Sequence, residues 1–178
     1  MTMLKRLAAA TALLVLALSA GGGMVRAHGR NEKSEQTVIR SREFTIQKGQ
    51  CSQLPPDLEM KGLGLERTKT VVESADDRGQ PAGSDDGRIT YSLLSTITGT
   101  ATDNLGGAYT FRYQLRFRTP SLIPGSAIAI DNFTLTGTGA ADGMSTFFRA
   151  RVTLDSGANP IGFEILEQTG DPFHCDPL

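Results

Sequence analysis

From Tyr109 to Arg118 the stretch AYTFRYQLRFR alternates large apolar and polar side chains without a break. Tyr109, Phe111, Tyr113, Leu115 and Phe117 fall in one phase; Thr110, Arg112, Gln114, Arg116 and Arg118 fall in the other. Successive side chains of a strand point to opposite faces, so a period of two specifies a β-strand with an aromatic face and an arginine face. A helix would scatter both sets around its circumference. Any fold for this chain must bury the first face and leave the second wet.

The flanking sequence repeats the theme. QTVIRSREFTI, LEMKGLGLERTKTVVES, RITYSLLSTITGTATD, SAIAIDNFTLTGTG, STFFRARVTLD and PIGFEILEQTG are extended in pattern, and DNLGG, DSGANP and the acidic loop ADDRGQPAGSDDG supply turns between them. Short polar connections between successive strands favour antiparallel neighbours. In SAIAIDNFTLTGTG, Ile128 and Ile130 fall in one phase but Phe133 and Leu135 in the other, which reads as a β-bulge near Asp131 and Asn132 that bends the sheet. The sequence therefore predicts an all-β fold: a single antiparallel meander of seven or eight strands, with a closed barrel preferred to a two-sheet sandwich. Closure would also hide the edge strands.

The N-terminus has a different character. Lys5 and Arg6 precede an apolar run from Leu7 to Ala20 and then small residues, the layout of a secretory signal peptide. The run is shorter than the about 20 residues that cross a bilayer. The expected organisation is a signal helix over 1–27, a polar mobile tail over 28–36 and one β domain over 37–178, in a secreted or periplasmic protein with no membrane span after signal removal. In an oxidising compartment Cys51 and Cys175, near the two ends of the domain, are expected to be joined. Removing Lys5, Arg6 and Arg26 with the signal leaves the 19 acidic residues in modest excess. That gives no general attraction to nucleic acid.

Composition narrows the chemistry. The chain has 2 histidines, His28 and His174, too few for a zinc hydrolase built on clustered imidazoles, and most Ser/His triads are disfavoured. His174 and Cys175 are adjacent and would point apart, with the thiol consumed by the bridge, so no Cys/His dyad is expected. Asp76, Asp77, Asp85 and Asp86 lack the spacing of a calcium loop. Glu164 and Glu167 would face opposite ways on a strand, unsuited to a paired-carboxylate glycosidase site. No catalytic residue, metal or cofactor is expected.

Two surfaces remain. Arg112, Arg116 and Arg118 on one strand, with Arg149 and Arg151 on another, form a basic stripe for an anionic polymer if those strands are neighbours. Asp131, Asp142 and Asp155 are expected to offset its charge. Tyr109, Phe111, Tyr113, Phe117 and Phe148 line the interior, which either packs solid or holds one small apolar ligand.

TGTATDNLGGAYTFRY, DNFTLTGTG and GDPFHCDPL resemble segments of a group of secreted bacterial proteins without assigned function. The resemblance implies a bacterial exported protein and transfers no catalytic residue. In architecture alone, signal plus meandering barrel is similar to the lipocalin, dirigent and allene oxide cyclase barrels. The expectation is an exported, non-catalytic β-barrel that binds a small apolar ligand inside or an anionic polymer on its arginine stripe. A cofactor-free isomerase or cyclase of barrel type, and a structural or interaction protein of the cell envelope, are the alternatives.

Overall fold

The computed structural model describes residues 33–75, 88–119, 125–155 and 160–175. The stretch read as a signal peptide and the aspartate-rich loop of residues 76–87 lie outside the described residues. Seven strands follow one another: β1 (Lys33–Ile46), β2 (Met60–Ala75), β3 (Arg88–Asp103), β4 (Ala108–Thr119), β5 (Gly125–Thr138), β6 (Ser145–Leu154) and β7 (Pro160–Thr169). A four-residue helix, α1 (Pro172–Cys175), ends the described chain. Each strand pairs antiparallel with the next in one sheet ordered as in the sequence. β1 begins at Lys33, inside the polar stretch that the sequence assigns to a tail, and Lys33 already pairs with Glu73.

The sheet is a meander with two edges, β1 and β7, not a hydrogen-bonded closed barrel. It is nevertheless strongly curled. Four strand spacings separate β1 from β5, about 19 Å if the sheet were flat. Yet the ring of Phe44 on β1 lies 5.9 Å from that of Phe133 on β5 and 4.9 Å, edge to face, from that of Phe111 on β4. The concave face closes on Phe44, and this contact anchors the main core together with Ile46, Leu58, Met60, Ile97, Tyr109 and Leu135.

Glycines on β2 and β3 make the curl possible. A side chain at Gly62 would place its Cβ 2.1 Å from the Phe44 ring, and one at Gly64 would sit 2.7 Å from Phe111. At Gly99 the obstacle is backbone: a Cβ there would come within 2.2 Å of the Leu63 carbonyl oxygen. Glycine in a strand interior loosens the strand but permits this close approach and the bend that accompanies it.

The phase break on β5 has another cause than a bulge. Register with β4 and with β6 runs unshifted through Asp131 and Asn132. Ala127, Ala129, Asp131, Phe133 and Leu135 are buried, while Ile128 and Ile130 lie on the convex side between the arginines of β4 and β6. The inward alanines are small because Phe117, Val152 and Leu154 fill the space around them. The register shifts fall instead between β6 and β7, near Ala150 and near Leu154. A bulged edge strand is a poor template for a further strand, so these irregularities protect the edge that closure was expected to hide.

The β1–β2 connection and α1 meet at one end of the curl. Cys51, in the β1–β2 connection, is bonded to Cys175 of α1 across 124 residues of sequence. Ser52 donates a hydrogen bond to Asp171 at 2.9 Å beside it. β1 and β7 would be about 29 Å apart in a flat sheet, so the bond forms only because the sheet is curled. In the chain-entropy account a loop of this length is worth about 4 to 5 kcal/mol.

Reduction should therefore lower the melting temperature of the protein by about 10 to 20 °C without loss of the sheet, as read by calorimetry and far-ultraviolet circular dichroism. An unchanged melting temperature would show that the bridge constrains nothing. Gly99→Ala should destabilise the protein by about 3 kcal/mol, because backbone and not a movable side chain opposes the new methyl. A loss in denaturant titration below about 1 kcal/mol, the ordinary size of a substitution, would refute the close approach.

Candidate functional site

The concave face divides along the strands. At the fastened end Phe44, Phe111, Phe133, Leu58 and Met60 are buried with the disulfide in one apolar mass. Toward the other end a second, smaller cluster of Ala127, Ala129, Val152 and Leu154 is flanked by partly buried Phe117 and Phe163. The Phe148 and Phe163 rings meet at 6.2 Å. Between the clusters runs a polar belt in which Glu66, Thr68, Ser95 and Asp131 are all buried.

Glu66 is the centre of that belt. On β2 it shares a phase with Gly62 and Gly64 and so faces inward, only 3% exposed. Its carboxylate accepts hydrogen bonds from Arg40 Nε, from Arg42 Nε at 2.7 Å and from the Ser95 hydroxyl at 2.9 Å. The Thr68 hydroxyl reaches Glu66 Oε1 at 3.1 Å and Ser95 at 3.2 Å. Burial pushes the Glu66 carboxyl up, but the bonds from Arg40, Arg42 and Ser95 together outweigh it and hold the group at about 2. Two guanidiniums serve one carboxylate, so the Arg40–Glu66–Arg42 cluster carries one positive charge in excess, on a face that also holds the buried Asp131. The Arg40 and Arg42 side chains remain 38% and 39% exposed.

Every interior position read from the sequence falls on the concave face, with differing tasks. Tyr113 is buried, and its hydroxyl donates to Asp131 Oδ2 at 2.8 Å across the β4–β5 pair. Tyr109 lies at the fastened end, where its hydroxyl donates to Asp103 at 2.6 Å and accepts from the Ala141 amide at 3.2 Å, tying two turns together. Burial raises the Tyr109 phenol and the Asp103 contact raises it further. Burial opposes ionisation of Asp103, but Tyr109 and the Gly107 and Leu105 amides hold its carboxyl below the usual range. Phe111 packs solid, whereas Phe117 and Phe148 are only partly buried.

Arg112, Arg116 and Arg118 lie exposed on the convex side of β4, and Arg149 and Arg151 on that of β6. They are not on neighbouring strands, because β5 runs between them and places Ile130 between Arg116 and Arg149, and Ile128 between Arg118 and Arg151. The shift on β7 brings Glu164 opposite Arg151 and Glu167 opposite Arg149, so the two glutamates share a face instead of opposing. Arg151 and Glu164 are 2.5 Å apart. Asp131 does not offset the stripe, since it is buried on the other face; Asp142 accepts from the Gly137 amide.

Cys175 is spent in the disulfide, and His174 Nδ1 lies 2.9 Å from Asp171. Burial resists ionisation of Asp171, but His174 and Ser52 hold it below the usual range. Among the described residues no cluster of three or more His, Cys, Asp or Glu is placed for a metal ion, and no helix is long and apolar enough to cross a membrane.

Sequence reasoning passed over Arg40, Arg42 and Glu66. The available signal was the phase of Glu66 with Gly62 and Gly64, opposite to Leu63 and Leu65, on a strand whose glycines had to face something large. No known protein family, curated protein or solved structure matches the chain. Fold and site define a class in their own terms: a disulfide-fastened, curled β-meander with a buried carboxylate and two arginines on its concave face.

The low Glu66 value gives a signed prediction. A carboxyl depressed in the folded state contributes stability that is present above its ordinary value of 4.5 and is lost as pH falls toward about 2. Glu66→Gln should cost about 1 to 3 kcal/mol at pH 7, because the two partly exposed guanidiniums lose their partner. The gap between the two proteins should shrink as pH falls through that window. A gap in urea unfolding that stays constant from pH 7 to pH 2.5 would show that Glu66 is not held ionised.

Proposed function

We propose that the protein is an exported, non-catalytic β protein that holds a small apolar molecule against its concave face. The observation that carries the reading is the asymmetry of that face: solid at the disulfide end, with Leu115 and Phe148 in the row of the polar belt and Phe117 and Phe163 beyond it only partly buried. Apolar surface of this kind gains roughly 25 cal/mol for each Å² covered, and a concave face covers a ligand more fully than a convex one.

The acids on the same face favour binding over catalysis. A carboxyl held near 2 is a weak base and is not protonated to act as an acid at neutral pH. Tyr113 and Asp131 are bonded to each other. The convex arginines form the less favoured surface, because β5 separates the two sets and Glu164 and Glu167 stand opposite Arg151 and Arg149. The disulfide is compatible with an extracytoplasmic location, and together with the N-terminal pattern it supports export.

Native mass spectrometry of the protein purified from its own host's secretions should show a retained small molecule. Phe117→Ala with Phe148→Ala should reduce its occupancy at least tenfold. A wild-type protein that carries only its own mass, and to which 1-dodecanol does not bind in calorimetry, would overturn the reading.

A further inference from the structure

We propose that Arg40 and Arg42 hold the carboxylate head of an amphiphile whose apolar tail lies against Leu115 and Phe117. This rests on the binding reading above and names the chemical class of the ligand. Three observations lead to it. First, both arginines stand on the same phase of β1 as Phe44 and Ile46, so they belong to the concave face and not to the wet outer one. Arg42 precedes Phe44 by one position in that phase, and Phe44 touches Phe133 of β5.

Second, their charge is fixed but not fully used. Glu66 is 3% exposed and takes Arg40 through both of its oxygens but Arg42 through Nε alone. Among the described residues the two terminal nitrogens of Arg42 make no further bond, and its side chain is 39% exposed. One carboxylate neutralises one guanidinium, which leaves the pair a single positive charge in excess, oriented by a buried anchor. An arginine fork held in place by a carboxylate behind it is preorganised for a second planar carboxylate in front of it.

Third, the neighbouring surface selects the rest of the ligand. From Glu66 the register runs through Ile97 to Tyr113; one step further from the fastened end it runs from Thr68 through Ser95 to Leu115 and Asp131. Beyond that, Leu93 pairs with Phe117. Arg42 itself stands in the row of Gly64, Gly99 and Phe111, so a molecule with its head at Arg42 runs away from the disulfide past Ile97 and Tyr113 and across the polar belt to Leu115 and Phe117, while the packed Phe44, Phe111 and Phe133 rings block the other direction. A fully polar anion would waste that surface; a neutral apolar molecule would leave the arginines without an added partner.

Calorimetric titration with 12-carbon probes of one tail and different heads separates this inference from the reading it rests on. At neutral pH and below micelle formation, dodecanoate should bind at least tenfold tighter than 1-dodecanol, and dodecyltrimethylammonium should bind weakest. The advantage of dodecanoate should shrink in Arg42→Gln to within about threefold, persist in part in Arg42→Lys, and weaken with added salt. Arg116→Gln with Arg118→Gln, on the convex face, should leave all affinities unchanged. Equal binding of the acid and the alcohol would overturn the head-group assignment while leaving the apolar reading intact. If no dodecyl probe binds, both fall. A dodecanoate advantage that survives Arg42→Gln and Arg40→Gln, or disappears with the convex pair, would place the anion elsewhere and overturn the proposal. Should Arg42→Gln fail to fold, the head-group series on the wild type and Arg42→Lys still decides.

Discussion

Phe44 sits on the first strand and packs against a ring of the fifth, and few other features of the molecule are independent of that reach. An antiparallel meander twists by itself, but twist alone does not bring strands four apart into van der Waals contact. Contact requires the intervening strands to lose side chains where the rings pass, and Gly62, Gly64 and Gly99 are placed to do so. Once β1 is carried over, Ile46 and Met60 are sealed, and the connection bearing Cys51 arrives at the end of β7, where Cys175 waits. The disulfide thus fastens a curl that packing has already made; it acts on the unfolded chain more than on the folded one.

The buried charge has a related duty. β1 is an edge strand, and from Lys33 to Ile39 its side chains are exposed. The Lys33–Glu73 and Glu35–Lys69 pairs that line its outer side lie in water and add little. Glu66 differs because it is buried and grips two side chains of the same neighbouring strand, spaced two apart, which pins register as well as position. A slip by one residue would turn both arginines outward and strand the carboxylate, so the cluster penalises misregister steeply. At the other edge β7 lacks such an anchor and relies on its bulges, on Arg151–Glu164 and on α1.

Much of this was legible from side-chain period and turn chemistry. All seven strands follow the extended segments of the sequence, and β4 shows why: its alternation is complete, so phase, face and burial coincide. The reading failed where size and phase conflict. On β5 the bulky Ile128 and Ile130 suggested an inward phase that Ala127, Ala129 and Asp131 in fact occupy, because the concave face is already filled from β4 and β6. On β2 the same conflict exposes Leu63 and Leu65 while glycines point inward, since rings from β1 and β4 need the space. Both are properties of a curled sheet, in which what a strand may present depends on strands several places away. The Arg40–Glu66–Arg42 cluster was hidden for the same reason: charged residues on an edge strand look like solvent-facing ones until the partner strand's glycines reveal which side is inside.

The two ends of the concave face therefore answer to different demands. Around the disulfide Ile46, Leu54, Leu58, Met60 and Met144 are buried, Tyr109 locks two turns through Asp103 and Ala141, and a void there would cost stability directly. Beyond the polar belt the face is apolar again on β4 to β7, and Arg40 and Arg42, in the rows of Glu66 and Gly64, keep a substantial part of their surface in water. Stability for its own sake would have filled that region with aliphatic residues, since replacing buried charge by apolar packing is often neutral or favourable. That the chain instead holds two guanidiniums and a carboxylate next to incompletely buried aromatics is what distinguishes this half of the sheet from a core, and it is why the search for a ligand belongs there and not at the cysteines.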